Sequence, residues 1–137
     1  MERLTDWPVR LRAWLISIHG VPIRPGHHDC CLFGAGAIEA QTGIDLAAGW
    51  RGRYSTFAGG RRVLRQAGYA DHVALIAAHL REAPVIEAAE GDIAIVPTGD
   101  GDAVGVAQGA AVYVLSQTGR IGLVPMTAVH RLFQLGA

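Results

Sequence analysis

The chain has 137 residues, half of them hydrophobic, and its twelve basic residues balance twelve acidic ones. That is the size of one ordinary domain, with enough apolar material for a core. A neutral chain is a poor candidate for non-specific nucleic-acid binding, which needs a basic face, and no apolar run approaches the roughly 18–20 residues of a membrane span.

All twelve basic residues are arginine. With alanine and glycine abundant, this reads as a bias towards GC-rich codons, although the guanidinium fork also suits protein interfaces. The start has no continuous apolar core with a cleavage site, so a secretory signal is not expected. The two cysteines are the adjacent pair Cys30-Cys31. Neighbouring cysteines rarely bridge, and no CxxC pattern is present, so the chain is expected to fold in a reducing cytoplasm.

The first element is a helix over about Pro8 to His19. Proline suits a first helical turn, and Trp7, Leu11, Trp14, Leu15 and Ile18 recur at helical spacing. Gly20 ends it, and residues 21 to 26 form an extended connector. A second helix runs from Cys30 to Thr42, with Asp29 as N-cap and Gly43 as the stop. Its middle, Gly34-Ala35-Gly36-Ala37, gives up about 1 kcal/mol of helix propensity per glycine. Close approach of another backbone is the expected return, which predicts a buried helix.

Residues 49 to 54 read as a loop, and Arg51 to Tyr54 suits either a partner-binding loop or a capped surface loop. A third helix covers about Thr56 to Ala67. A fourth, capped by Asp71, runs to about Arg81 with Val73, Leu75, Ile76 and Leu80 on its apolar side, and Pro84 stops it. Beyond Pro84 come short β-prone runs at 93–96, 104–106, 111–115 and 121–124, and a last one at about 129–135. Turns at 98–102, 108–109, 117–119 and 125–126 separate them. Tight turns favour antiparallel neighbours. The expectation is a single α+β domain over residues 1–137, mainly helical to residue 84 and mainly antiparallel strand from 85.

The chemistry centres on Cys30. A thiol attacks as thiolate, and a helix N-terminus lowers its pKa through free N–H groups and the dipole. The same N–H groups can serve as an oxyanion hole. Asp29 opposes an anion beside it unless its carboxylate is occupied in capping the helix. The plainer reading is that cysteine packs as a small apolar group, which is how Cys31 reads. Gly59-Gly60-Arg61-Arg62 lacks the strand and Gly-Lys-Ser/Thr of a phosphate loop. Residues 98–102 resemble a fragment of a calcium loop without its glutamate, and read more simply as a hairpin turn. No metal site or cofactor is expected.

His28-Asp29-Cys30 before a small-residue helix, then Gly91-Asp92-Ile93-Ala94-Ile95-Val96, then Ala103-Val104-Gly105-Val106, resembles the NlpC-type papain-like peptidases and amidases that cut cell-wall peptides. The likeness spans about Asp29 to Pro125, and the order of the motifs carries it. A narrower resemblance, through Asp29-Cys30, Thr42-Gly43-Ile44-Asp45, Arg51-Gly52-Arg53-Tyr54, Gly68, Gly91-Asp92 and Val104-Gly105-Val106, is to a small family of bacteriophage proteins encoded among tail genes.

The resemblance implies Cys30 at the nucleophile position and a catalytic histidine at the first residue of the Val-Gly-Val strand. Ala103 stands there instead. The third polar residue is expected near Val114-Leu115-Ser116, two of which are apolar. Without a base the thiol loses its main activator, and losing one member of such a pair removes several orders of magnitude in rate. His27 and His28 read as exposed loop residues, His72 and His79 as solvated on the fourth helix, and His130 as facing either the sheet interior or solvent. The resemblance therefore implies a structural tail-tip or baseplate protein on a degenerate hydrolase fold. Its partners would be other tail proteins, and it would reside in the virion after synthesis in the host cytoplasm. The alternative is an active peptidase or amidase cutting host peptidoglycan during DNA entry.

Overall fold

Helix α2 (Cys30–Thr42) starts and stops where its end residues dictate. The Asp29 side chain accepts from the Cys31 and Leu32 amides at one end, and Gly43 takes the left-handed conformation (φ 77°) at the other. The computed structural model describes residues 1–115 and 119–136. In it α2 lies at the centre, and its middle is buried on every side. The two interior glycines explain how. A Cβ on Gly34 would lie 2.9 Å from Val104 Cγ1 and 3.1 Å from Ile76 Cδ1, and one on Gly36 would lie 2.6 Å from the Trp14 ring. Side chains from three other elements therefore occupy the space that a larger residue would fill.

Helix α1 (Trp7–Ile18) carries Pro8 in its first turn and buries Leu11 and Leu15. It begins one residue before the predicted start, and Asp6 makes no side-chain cap. Helix α3 (Phe57–Gln66) is capped by the Thr56 side chain, and α4 (His72–His79) by that of Asp71. Helix α4 ends two residues earlier than predicted. Leu80 is already extended, and Arg81–Ala83 form strand β1, paired with the last strand. Pro84 keeps the residue before it out of the helical region. The Glu82 carboxylate and the Arg131 guanidinium then bridge the pair at 2.9 and 3.0 Å.

The other strands are β2 (Ile93–Thr98), β3 (Gly101–Gln108), β4 (Ala111–Leu115), β5 (Ile121–Pro125) and β6 (Arg131–Gln134). They form a six-stranded sheet in the order β1-β6-β2-β3-β4-β5, antiparallel throughout. The architecture is thus α+β, four helices followed by an antiparallel sheet. The β2–β3 turn is tighter than predicted, because Pro97 and Thr98 pair with Asp102 and Gly101. A proline is tolerated there because β6 pairs only with Ile93 to Ile95, so the far end of β2 has a free edge. The last strand is shorter than predicted at both ends, because the Val129 amide closes the 3-10 turn Met126–Ala128 and Leu135 lies beyond the pairings with β1 and β2. The predicted turn at 117–119 falls largely outside the described residues.

Alternation along the strands divides the apolar residues. Ile93, Ile95, Val104 and Val106 join Phe33, Ile38 and Ile76 in the main core between sheet and helices. Ala94, Val96, Ala103, Val112 and Val114 form a smaller core on the other side. The motif Gly91-Asp92 fastens the N-terminus to this frame. Gln41, fully buried, donates to the Gly91 carbonyl at 2.9 Å and accepts from Arg3 at 2.7 Å, while Arg3 reaches Asp92 at 3.3 Å.

Candidate functional site

The first turn of α2 opens into a cleft of about 260 Å³. Cys30 and Cys31 form one wall, Phe57 and Arg61 of α3 stand beside them, and Asp71, His72 and Val73 enter from the start of α4. The β2–β3 turn supplies Asp100 and Asp102, and Ala103 and Leu115 complete the lining. The residue expected as nucleophile and the alanine at the expected histidine position therefore border one cavity. The Ala103 methyl packs with Val96, Val112 and Val114 in the smaller core.

Asp29, only 1% exposed, organises the mouth of this cleft. Its Oδ1 accepts from the Cys31 and Leu32 amides, both at 2.9 Å, and its Oδ2 from the Gly26 amide and the Tyr54 hydroxyl, both at 2.7 Å. Burial and the neighbouring Asp29 push the Tyr54 hydroxyl well above the usual phenol range, so it stays a donor. The loop 51–54 is thus bound into the site. Arg51 makes a paired contact with Asp45 at 2.7 and 3.0 Å, joining two motifs that lie far from any obvious chemistry in the sequence.

Occupied in this way, the carboxylate weighs less against a neighbouring anion. The Cys30 thiol lies below the ordinary thiol value, chiefly because Cys31 donates a hydrogen bond to it, with the Arg61 charge helping and burial and Asp29 opposing. Cys31 is pushed far up by donating that bond and by burial. The oxyanion hole expected of the helix terminus is largely filled. Asp29 takes the Cys31 and Leu32 amides.

Among the described residues no histidine hydrogen-bonds Cys30. The nearest to a substitute is His72, which was expected to be solvated. It lines the cleft, and its Nε2 lies 2.9 Å from the Asp102 carbonyl, one residue before Ala103. If Nε2 donates that bond, Nδ1 is the nitrogen left to act as a base. His27, His79 and His130 are exposed. His130 sits 3.7 Å from Asp102, and the Nδ1 of His79 bonds the Leu75 carbonyl in its own helix. His28 is half-buried rather than exposed, and its Nε2 has no hydrogen-bond partner among the described residues. Of the expected third position, Val114 and Leu115 are buried and Ser116 lies outside the described residues.

A family model described as a domain of unknown function (DUF6950) matches residues 2–135. The chain belongs to that family. No curated protein matches the sequence. The DUF6950 match covers the whole of the Cys30 cleft, the helices that flank it and the sheet below. Among the described residues no group of three or more histidine, cysteine or acidic side chains is placed to hold a metal ion. The sequence GGRR at 59–62 lies inside α3 and forms no phosphate loop, and residues 98–102 are a hairpin. No helix among the described residues is long and apolar enough to cross a membrane.

Proposed function

We propose that this chain is a structural component of a bacteriophage or phage-derived tail tip or baseplate, built on an NlpC-type papain-like fold whose hydrolytic site has degenerated. The observation that carries the reading is that no histidine hydrogen-bonds Cys30 among the described residues, while Ala103, where the resemblance puts the catalytic base, turns its methyl into the smaller core on the other side of the sheet. The order of the motifs supports the hydrolase ancestry: Asp-Cys opens the central helix, and the Gly-Asp strand and the Val-Gly-Val strand are neighbours in the sheet. A thiol without a proton acceptor is a poor hydrolase, and filling two of the first-turn amides removes donors that a tetrahedral oxyanion would need.

The function is then contact-making, joining neighbouring tail proteins. A structure or quantitative composition of the intact particle tests it. The chain should be present at fixed stoichiometry and seated among tail subunits. Its absence from mature particles, or turnover of peptidoglycan by the pure protein, overturns the reading.

His72 favours a second reading, an active peptidase or amidase working on host peptidoglycan. It is an imidazole in the same cleft, oriented by a backbone carbonyl as a general base would be. Release of muropeptides by the pure chain, lost in both Cys30→Ala and His72→Ala, is the result this reading requires.

A further inference from the structure

The charge of this chain is zero, but it is not evenly spread. Residues 46–70 contain five arginines and no acidic residue, whereas residues 82–102 contain six acidic residues and no arginine. The acidic stretch is largely satisfied within the fold: Glu82 pairs with Arg131, Glu90 with Arg12, Asp92 with Arg3, and Asp102 faces His130. The basic stretch is not. Arg51 pairs with Asp45 and Glu39, but the side chains of Arg53, Arg61, Arg62 and Arg65 make no ion pair or hydrogen bond among the described residues.

Three of those four stand on α3. The helix buries Gly60 and Leu64 and turns Arg61, Arg62 and Arg65 outward, along a shallow groove that Ala58 and Gln66 complete. Arg61 and Arg65 are one turn apart, and like charges at that spacing disfavour the helix. Arg65 is partly offset by the negative end of the helix dipole. Arg61 borders the cleft that Asp71, Asp100 and Asp102 line, but no ion pair among the described residues offsets Arg62 or Arg65, so the outer face of α3 carries uncompensated positive charge.

The geometry points to α3 as the docking surface for an acidic segment of a partner protein, its carboxylates held by Arg62 and Arg65 with Arg61 at the cleft edge. Guanidinium forks suit paired contacts to carboxylates. A second copy of this chain is a poorer occupant, because three of its six clustered acidic residues are already paired with arginine. A nucleic acid is poorer too, since a continuous phosphate backbone would have to run on past Arg61 across the Asp71, Asp100 and Asp102 carboxylates, whereas a short acidic segment can end at Arg61.

The proposal deepens the contact-making reading and rests on it, but it is tested on the isolated chain. Fluorescence anisotropy with a labelled short polyglutamate peptide should show saturable binding, and a polyglutamine control should show none. Binding should weaken about tenfold or more in Arg62→Glu/Arg65→Glu, and fall steeply with added salt, as exposed charge contacts do. Arg62→Gln/Arg65→Gln should fall between that variant and the parent, and both variants should still melt cooperatively as folded proteins. No binding of polyglutamate, binding indifferent to charge reversal, or tighter binding of a DNA duplex than of the peptide overturns the surface. Any of these would leave the tail-component reading intact. Muralytic turnover would remove that reading without altering the peptide result.

Discussion

Replacing Asp29 by asparagine isolates what the buried carboxylate does. An asparagine of the same shape can still cap α2 with its Oδ1, accepting from the Cys31 and Leu32 amides. Its NH2 group then faces the Gly26 amide and the Tyr54 hydroxyl, which now sit 2.7 Å from a carboxylate oxygen. Tyr54 can rotate its proton and accept; the Gly26 amide cannot. One charge-assisted bond is lost outright, worth about 1.5–3 kcal/mol, and a buried donor is left unpaired at about 1–3 kcal/mol more. The sum is a loss of about 2.5–6 kcal/mol, a large part of the 5–15 kcal/mol that a domain holds in reserve. For a chain of this size that lowers the melting temperature by about 10–20 °C. Tyr54→Phe alone should remove about 1.5–3 kcal/mol, and only about 1 kcal/mol in the Asp29→Asn background, where its bond is no longer to a charge. Urea denaturation of the four proteins measures the cycle. An Asp29→Asn variant within about 1 kcal/mol of the parent, or a Tyr54→Phe cost equal in both backgrounds, refutes the assignment of a charged hub.

Other consequences are as direct. Gly34→Leu should lose at least about 3 kcal/mol in the same assay, because its branches must enter space held by Val104 and Ile76. Cys30 should alkylate faster than Cys31 at neutral pH, as read by mass spectrometry of the two sites. Arg61→Gln should slow Cys30 and Asp29→Asn should quicken it, since the one charge lowers the thiol and the other raises it. Burial holds His28 below its ordinary value of 6.5 despite the opposing Asp29 charge. The contribution of His28 to stability is therefore complete above about pH 6.5 and is lost as pH falls from there through the folded value. His28→Phe should flatten that part of the stability–pH curve, and an unchanged curve would mean the ring is not desolvated.

What could be read in advance was what local chemistry decides. Both ends of α2 fell where Asp29 and Gly43 put them, because a cap and a left-handed stop act within a few residues. Its burial followed from Gly34 and Gly36, which give up helix propensity and so require close neighbours. The features that were not legible depend on distant packing. Strand β1 is three residues long with no alternation, and only its pairing with β6 makes it a strand. Tyr54 and Gly26 converge on Asp29 because the connector and the 51–54 loop are stitched together, the Gly52 amide donating to the Gly26 carbonyl at 2.8 Å. His72 enters the cleft because the start of α4 abuts the β2–β3 turn. Its helical position told only that it was off the apolar stripe. The Arg51–Asp45 pair could have been suspected, since two short motifs of opposite charge lie six residues apart.

The pair Asp29-Cys30 carries the resemblance to a hydrolase site in sequence, yet its two members depend on the structure in different ways. Asp29 is needed whether or not any chemistry occurs: it caps the central helix, ties down the connector and holds the Tyr54 loop. Its presence is therefore no evidence for a working thiol. Cys30 has no such structural claim, as it only lines the cleft and accepts a weak bond from Cys31. The two substitutions should separate accordingly. Cys30→Ser should shift stability by less than about 1 kcal/mol, the ordinary range for a position outside the well-packed core. Under the tail-component reading it should leave particle assembly and infectivity at parental levels. Asp29→Asn should lower incorporation into particles by destabilising the chain, though its thiol is the more reactive of the two. Particles that assemble normally with Cys30→Ser but cannot deliver DNA would place the sulfur in the chemistry of entry and refute the structural assignment.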